Sequence, residues 1–257
     1  MKELISARLN GARVWNAEVN SAPDVWVPVW LFIPERIDRG RAALLALDDR
    51  GRNAESHEGG LWHRLARGGQ VVCVADVRGK GDMRPEVGRG NPGYTIPHAS
   101  EEDFAWASLM LGAPLLTQRV ADILACVEAM RNDETIAGHS VAIAARGDLC
   151  VPSLFAFAAS TYSAALYLAN GLISFQNLLE TEGYNQTLGN FAWNLFRLTD
   201  LPLLAAQSQP RRIHLAGAVN AEGKPMDVAA ARAIYLSANV SVSAPAAWDE
   251  AAFAGLV

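Results

Sequence analysis

The residues with chemical potential cluster where apolar, strand-like runs end. Asp48 and Asp49 follow Ala42–Leu47, Asp76 and Arg78 follow Gln70–Ala75, Arg146 and Asp148 follow Val141–Ala145, and Asn220 follows Ile213–Gly217. Carboxylates in such places can move protons, and guanidinium groups can hold a carboxylate or phosphate through paired donors. The run Val141-Ala-Ile-Ala-Ala-Arg-Gly-Asp-Leu-Cys150 continues into the apolar stretch Val151–Ser160, which reads as strand, sharp turn, helix. A corner of that kind can raise a nucleophilic side chain at its apex. Here the apex is Gly147, which has none.

Other chemistries find less support. His57 and His63 are six apart, a spacing that puts them on different helix faces, whereas paired ligands need three or four. His139 should begin the strand before the corner, and His214 lies inside a strand as a satisfied core residue. His98, in a Gly- and Pro-rich loop before Glu101, is the histidine retained as a candidate site residue. Cys73, Cys126 and Cys150 have no paired spacing and read as small buried hydrophobes, without a disulfide or metal site. Arg78-Gly-Lys-Gly81 lacks the spacing of a nucleotide loop, so no cofactor is expected. Ser153 and Cys150 fall beyond the apex of the turn and should not replace a nucleophile.

The elements that position these residues follow from hydrophobic periodicity. Ile5–Leu9, Val25–Ile33, Ala42–Leu47, Gln70–Ala75, Val141–Ala145, Ala164–Ala169, Ile213–Gly217 and Val240–Val242 read as strands. Helices are predicted over 54–67, 101–112, 117–131 and 227–235. In the third, Val120, Ile123, Leu124, Val127 and Met130 form the apolar stripe, with Asp122 and Glu128 placed away from it. Strands alternating with helices imply parallel crossovers and a sheet covered on both faces, with binding beyond the carboxyl ends of the strands. Residues 170–210 carry Phe175, Tyr184, Phe191, Trp193 and Phe196 and read as a helical insert or lid on a single domain.

The chain has 257 residues, 51% of them hydrophobic, and a net charge of −5 without a basic block. A sizeable core follows, and neither nucleic acid nor a membrane is an expected partner. Cytoplasmic location is the default expectation; a domain excised from a longer exported protein would read the same way.

Three segments resemble one family. Val74-Ala-Asp-Val-Arg-Gly-Lys-Gly81 is similar to the D-x-R-G-x-G turn of acetyl xylan esterases, cephalosporin-C deacetylases and related α/β-hydrolases. Ala105–Gly112 through Gln118–Leu124 resembles the helices before their nucleophile elbow, and Ile213–Pro225 resembles the segment that carries their triad acid. The resemblance spans residues 25–245 and implies an α/β-hydrolase-like three-layer sandwich with a mostly parallel, eight-stranded sheet. It also implies where the catalytic residues should stand, and there the chain departs. Gly147 occupies the nucleophile position, Asn220 the acid position, and no histidine follows His214. Asp48-Asp-Arg-Gly51 replaces the oxyanion-hole turn, and carboxylates there would repel a developing oxyanion.

The expectation is therefore a catalytically degenerate domain acting as a structural, binding or assembly module. Its candidate partners are a carbohydrate, a small anionic ligand, or a catalytic domain elsewhere in a longer protein. Trp26, Trp30, Trp62, Trp106, Trp193 and Trp248 could stack on sugars. An active esterase with a rearranged site, using His98, Asp148 and a water, is the alternative. For the polar residues, Arg146 is expected to form a salt bridge with Asp48 or Asp49; the rival is an anion pocket made by Arg146 and Arg78. Asp76 and Arg78 should pair to fix their loop. Asp148 should cap the following helix or lie in its first turn.

Overall fold

A computed structural model describes residues 1–85, 100–136 and 138–256. His98 lies outside the described residues. The strands are β1 (Lys2–Leu9), β2 (Ala12–Ala22), β3 (Val25–Pro34), β4 (Ala43–Leu47), β5 (Val72–Ala75), β6 (Val141–Arg146), β7 (Ser163–Ala169), β8 (Arg212–Ala216) and β9 (Val240–Ser243). The helices, numbered here in chain order, are α1 (Leu61–Arg67), α2 (Ser100–Met110), α3 (Leu115–Asn132), α4 (Cys150–Ala159), α5 (Phe175–Leu179), α6 (Leu195–Leu198), α7 (Leu201–Gln207), α8 (Val228–Ile234) and α9 (Glu250–Phe253).

The described strands form one sheet in the order β1-β2-β3-β5-β4-β6-β7-β8-β9. β1, β2 and β3 are antiparallel, β3 pairs antiparallel with β5, and from β5 to β9 every neighbour is parallel. The sheet thus has nine strands among the described residues and not eight. The additional one is β2, which pairs with both β1 and β3.

β4 is buried at every position, as expected of an interior parallel strand whose two faces are both covered. One face packs Leu45, Leu47, Cys73, Ile143 and Leu168 against α3, α4, α7 and α8. The other packs Leu44, Val72, Val74 and Tyr167 against Trp62 of α1 and Phe253 of α9. Trp62 stacks on Phe253 at 6.2 Å. This is a three-layer α/β-hydrolase-like sandwich.

Two helix expectations change. Residues 54–60 form turns, and α1 begins only at Leu61, after Gly60. In α3 the buried positions include Arg119 and Asp122 beside Leu115, Ile123 and Cys126. Asp122 is therefore within the buried stripe, because Arg78 neutralises it there. Residues 170–210 hold α5, α6, α7 and a 3-10 turn at Leu188–Asn190. Among the described residues no single helix is long and apolar enough to cross a membrane.

Candidate active site

Because the parallel strands share one direction, Asp48, Asp49, Asp76, Gly147 and Gly217 all follow carboxyl ends at one edge of the sheet. β6 turns there through a 3-10 segment, Gly147–Leu149, directly into α4. Gly147 has φ +58°, the left-handed conformation that presents the apex of such a corner and costs other residues strain. The volume above it is filled. A Cβ built on Gly147 would fall on the Asp49 carboxylate, 2.7 Å from its Cγ and closer still to Oδ2. A carboxylate delivered from the β4 turn stands where an elbow side chain would project.

The two adjacent acids of that turn behave oppositely. Asp48 is buried and accepts from Arg50, Nε to Oδ1 at 3.0 Å and Nη2 to Oδ2 at 2.7 Å. Burial pushes its carboxyl up, but the hydrogen bonds and charge of Arg50 outweigh that and leave it below the ordinary value. Asp49 has no such partner. Burial, then the neighbouring Asp48 and more distant Asp148, raise its carboxyl above the ordinary value, against a smaller pull from Arg146.

The expected Arg146 bridge is not formed. Asp48 is held by Arg50 two residues along its own turn, and Arg146 has no carboxylate oxygen within 4.0 Å among the described residues. It acts on Asp48 and Asp49 only through its field. Arg78 is equally unavailable to an anion pocket. Its Nε and Nη2 both engage the buried Asp122, Nη2 to Oδ1 at 2.8 Å, and its remaining donors reach Gln118. Ser21 Oγ donates to the same Asp122 oxygen at 2.6 Å.

Asp76 and Arg78 do not pair with each other. Asp76 accepts from the backbone N–H groups of Arg52 (2.6 Å) and Asp82 (2.8 Å), and it ties the β4 and β5 turns together. Burial raises its carboxyl despite those two donors. Gly81, φ +50°, fits over it because a Cβ there would land on the carboxylate. The glycines of the Arg78-Gly-Lys-Gly81 turn thus serve close backbone approach, not phosphate binding.

Asp148 is the first-turn acid of the 3-10 segment, and its carboxylate binds Lys80 Nζ at 3.0 Å. Lys80 also meets Glu101 at 2.7 Å, and Glu101 receives Arg119 Nη2 and Thr187 Oγ1, each at 2.8 Å. Asn190 Nδ2 donates to the Asp148 carbonyl at 2.9 Å. Burial pushes Glu101 up, but Arg119 and Lys80 together bring it below the ordinary value. The network clamps residues 187–190 and the first turn of α2 to the corner. Lys80, Glu101, Arg119 and Asn190 were not singled out from sequence. The available signal was Arg119, spaced four from Leu115 and Ile123 on the apolar face of α3.

The remaining candidates have structural roles. Asn220 Oδ1 accepts from the N–H groups of Glu222 and Lys224 and closes the turn after β8. Cys150 is buried and its thiol is pushed well above the ordinary value by burial. His63 is buried and satisfied, accepting from Gly59 N–H and reaching the Asn10 carbonyl, both at 2.9 Å. Among the described residues no group of three or more His, Cys, Asp or Glu could hold a metal ion.

Comparison of the architecture with solved structures agrees with the fold described above. The acetyl xylan esterase 1 of Thermoanaerobacterium sp. JW/SL YS485 aligns over 94% of this chain and 79% of its own, with TM-score 0.63 and 15% identity. The acetyl xylan esterase of Paenibacillus sp. R4 aligns over 94% and 80%, with TM-score 0.62 and 12% identity. A Bacteroides fragilis protein provisionally described as an acetyl xylan esterase aligns over 94% and 68%, with TM-score 0.74 and 15% identity. The fold is acetyl xylan esterase-like. At these identities the likeness carries the fold alone. No family model matches the sequence, and no curated protein matches it.

Proposed function

We propose that this esterase-like domain does not hydrolyse esters and serves as a binding or assembly module. The observation that carries the reading is the Asp49 carboxylate lying over Gly147, in the volume an elbow nucleophile needs. A second carboxylate, Asp48, held by Arg50, is the adjacent residue of the same turn, the one that the resemblance aligns with the oxyanion-hole turn. Asn220 is spent on closing a turn, and no histidine follows His214.

Arg146 supports a particular kind of ligand. It is a half-buried guanidinium at the carboxyl edge of the sheet, without an ion-pair partner among the described residues. A small anion or an acidic sugar suits it, since guanidinium matches carboxylate geometry. A catalytic partner domain is the other occupant this edge could serve.

Turnover of a chromogenic acetyl ester, run beside fluorophosphonate labelling read by mass spectrometry, tests the reading. No turnover and no adduct are expected. Turnover with a mapped adduct would overturn it and name the nucleophile. Turnover without an adduct would favour water activation by a rearranged site, in which Asp148 would have to act while paired to Lys80.

A further inference from the structure

β8, an interior strand, and β9, the edge strand beside it, are polar on one face. Interior parallel strands are apolar on both faces because helices cover both. Ile213, Leu215 and Val242 follow that rule on one side. On the other, His214 pairs across the strands with Ser241, and Ser243 stands diagonally beside it. Among the described residues Ala247, the four-residue α9, Gly255 and Leu256 approach this side, and a cavity of about 400 Å³ remains beneath them. Ala165, Tyr167, Ala252 and Leu256 supply its apolar lining, and Arg212 is the one charged residue among the described lining. That volume lies in the range of small-molecule sites.

The hydrogen bonds assign the polar wall. His214 Nδ1 is 2.8 Å from Ser241 Oγ, and Nε2 is 2.9 Å from Ser243 Oγ. A neutral imidazole has one N–H and one lone pair, so one serine accepts and the other donates. We assign the tautomer in which Ser241 Oγ–H turns to the Ile213 carbonyl, a long contact at 3.4 Å, and Ser241 accepts from Nδ1–H. Ser243 then donates to Nε2. Burial holds His214 below its ordinary value, consistent with the neutral ring. Tyr167 stacks on the imidazole at 5.2 Å and donates its hydroxyl to the Ala247 carbonyl, so the ring is fixed from below. Ser243 Oγ receives no hydrogen bond from any other described residue, and its lone pairs are the site's open acceptor.

We propose that this cavity binds an uncharged small molecule with an apolar body and one hydroxyl or N–H group, which Ser243 Oγ accepts. The site lies on the opposite face of the sheet from α4 and does not depend on the reading given for the β6–α4 corner.

Phenol is a suitable probe, with toluene as the shape control lacking a donor and benzoate as the anionic control. Titration of ¹⁵N-histidine-labelled protein would follow the His214 ring nitrogens. Phenol should give a saturable shift at His214, and Ser243→Ala should weaken its binding at least fivefold, with far-UV dichroism unchanged. Ala252→Phe, which fills the cavity, should abolish the shift. Absence of saturation, toluene binding as tightly as phenol, benzoate binding more tightly, or an unchanged affinity in Ser243→Ala would each overturn the proposal.

Discussion

Replacing Gly147 with alanine tests whether Asp49 owns the space over the elbow. Two costs arise together. The left-handed backbone, φ +58°, costs a residue with Cβ about 1–2 kcal/mol. The new methyl would also overlap the Asp49 carboxylate, and overpacking of this kind costs about 1–3 kcal/mol. Gly147→Ala should therefore lose about 2–5 kcal/mol by adding the two contributions. In an Asp49→Ala background Cγ and both oxygens are gone, and only the Asp49 Cβ at 3.3 Å remains near the new atom. The overlap is then relieved while the backbone strain stays. A double-mutant cycle by urea unfolding should show a coupling of about 1–3 kcal/mol, the part due to overlap. Additivity within about 0.5 kcal/mol would refute the claim that Asp49 fills the nucleophile's place.

Arg78→Ala should leave the fully buried Asp122 with Ser21 and one backbone N–H as its only donors among the described residues. Breaking a buried pair from one side costs about 3–5 kcal/mol, which calorimetry should register as a fall in Tm of roughly 6–20 °C. Stability against pH should separate two acids of opposite sign. Glu101 is depressed by Arg119 and Lys80, so its contribution should be present above pH about 4.3 and vanish as pH falls through its lower folded value. The advantage of the native protein over Glu101→Gln should shrink in that acid window. Asp49 is raised by burial and by Asp48, so its ionisation opposes folding as pH climbs above about 3.9. Asp49→Asn should stabilise at neutral pH and be without effect below that point; an acid-side gain would contradict the assignment.

Much of the layered sheet was legible because β4, β5, β6 and β7 are nearly uninterrupted apolar runs bounded by turns. β2 was hidden by a change of phase. Ala12 and Val14 are buried on the α1 side, whereas Ala17 and Val19 are buried on the α3 side, so no single alternation runs through the strand. The corner at Gly147 was readable from the strand–turn–helix pattern, but the side chain filling it was not, since Asp49 is almost a hundred residues away in sequence. The ion-pair expectations failed for a shared reason. Arg50 is two residues from Asp48 and meets it within the same turn, leaving Arg146 without it. Arg78 instead finds Asp122, a residue that a stripe reading assigns to water. Periodicity treats charged residues as outward; Asp122, buried on a helix face against an arginine from the turn after β5, violates that assumption.

The position of β4 has a consequence for synthesis. It lies between β5 and β6 and pairs with both, so its second neighbour is made only after about a hundred further residues have left the ribosome. The antiparallel β1–β3 meander can close early through near-neighbour contacts. β4, apolar on both faces, must then wait with one edge unpaired until Val141–Arg146 emerges. At about 5–20 residues per second that interval is on the order of 5–20 s. A chain released or stalled before β6 would expose an unpaired apolar strand edge, the kind of surface that recruits chaperones or nucleates aggregates.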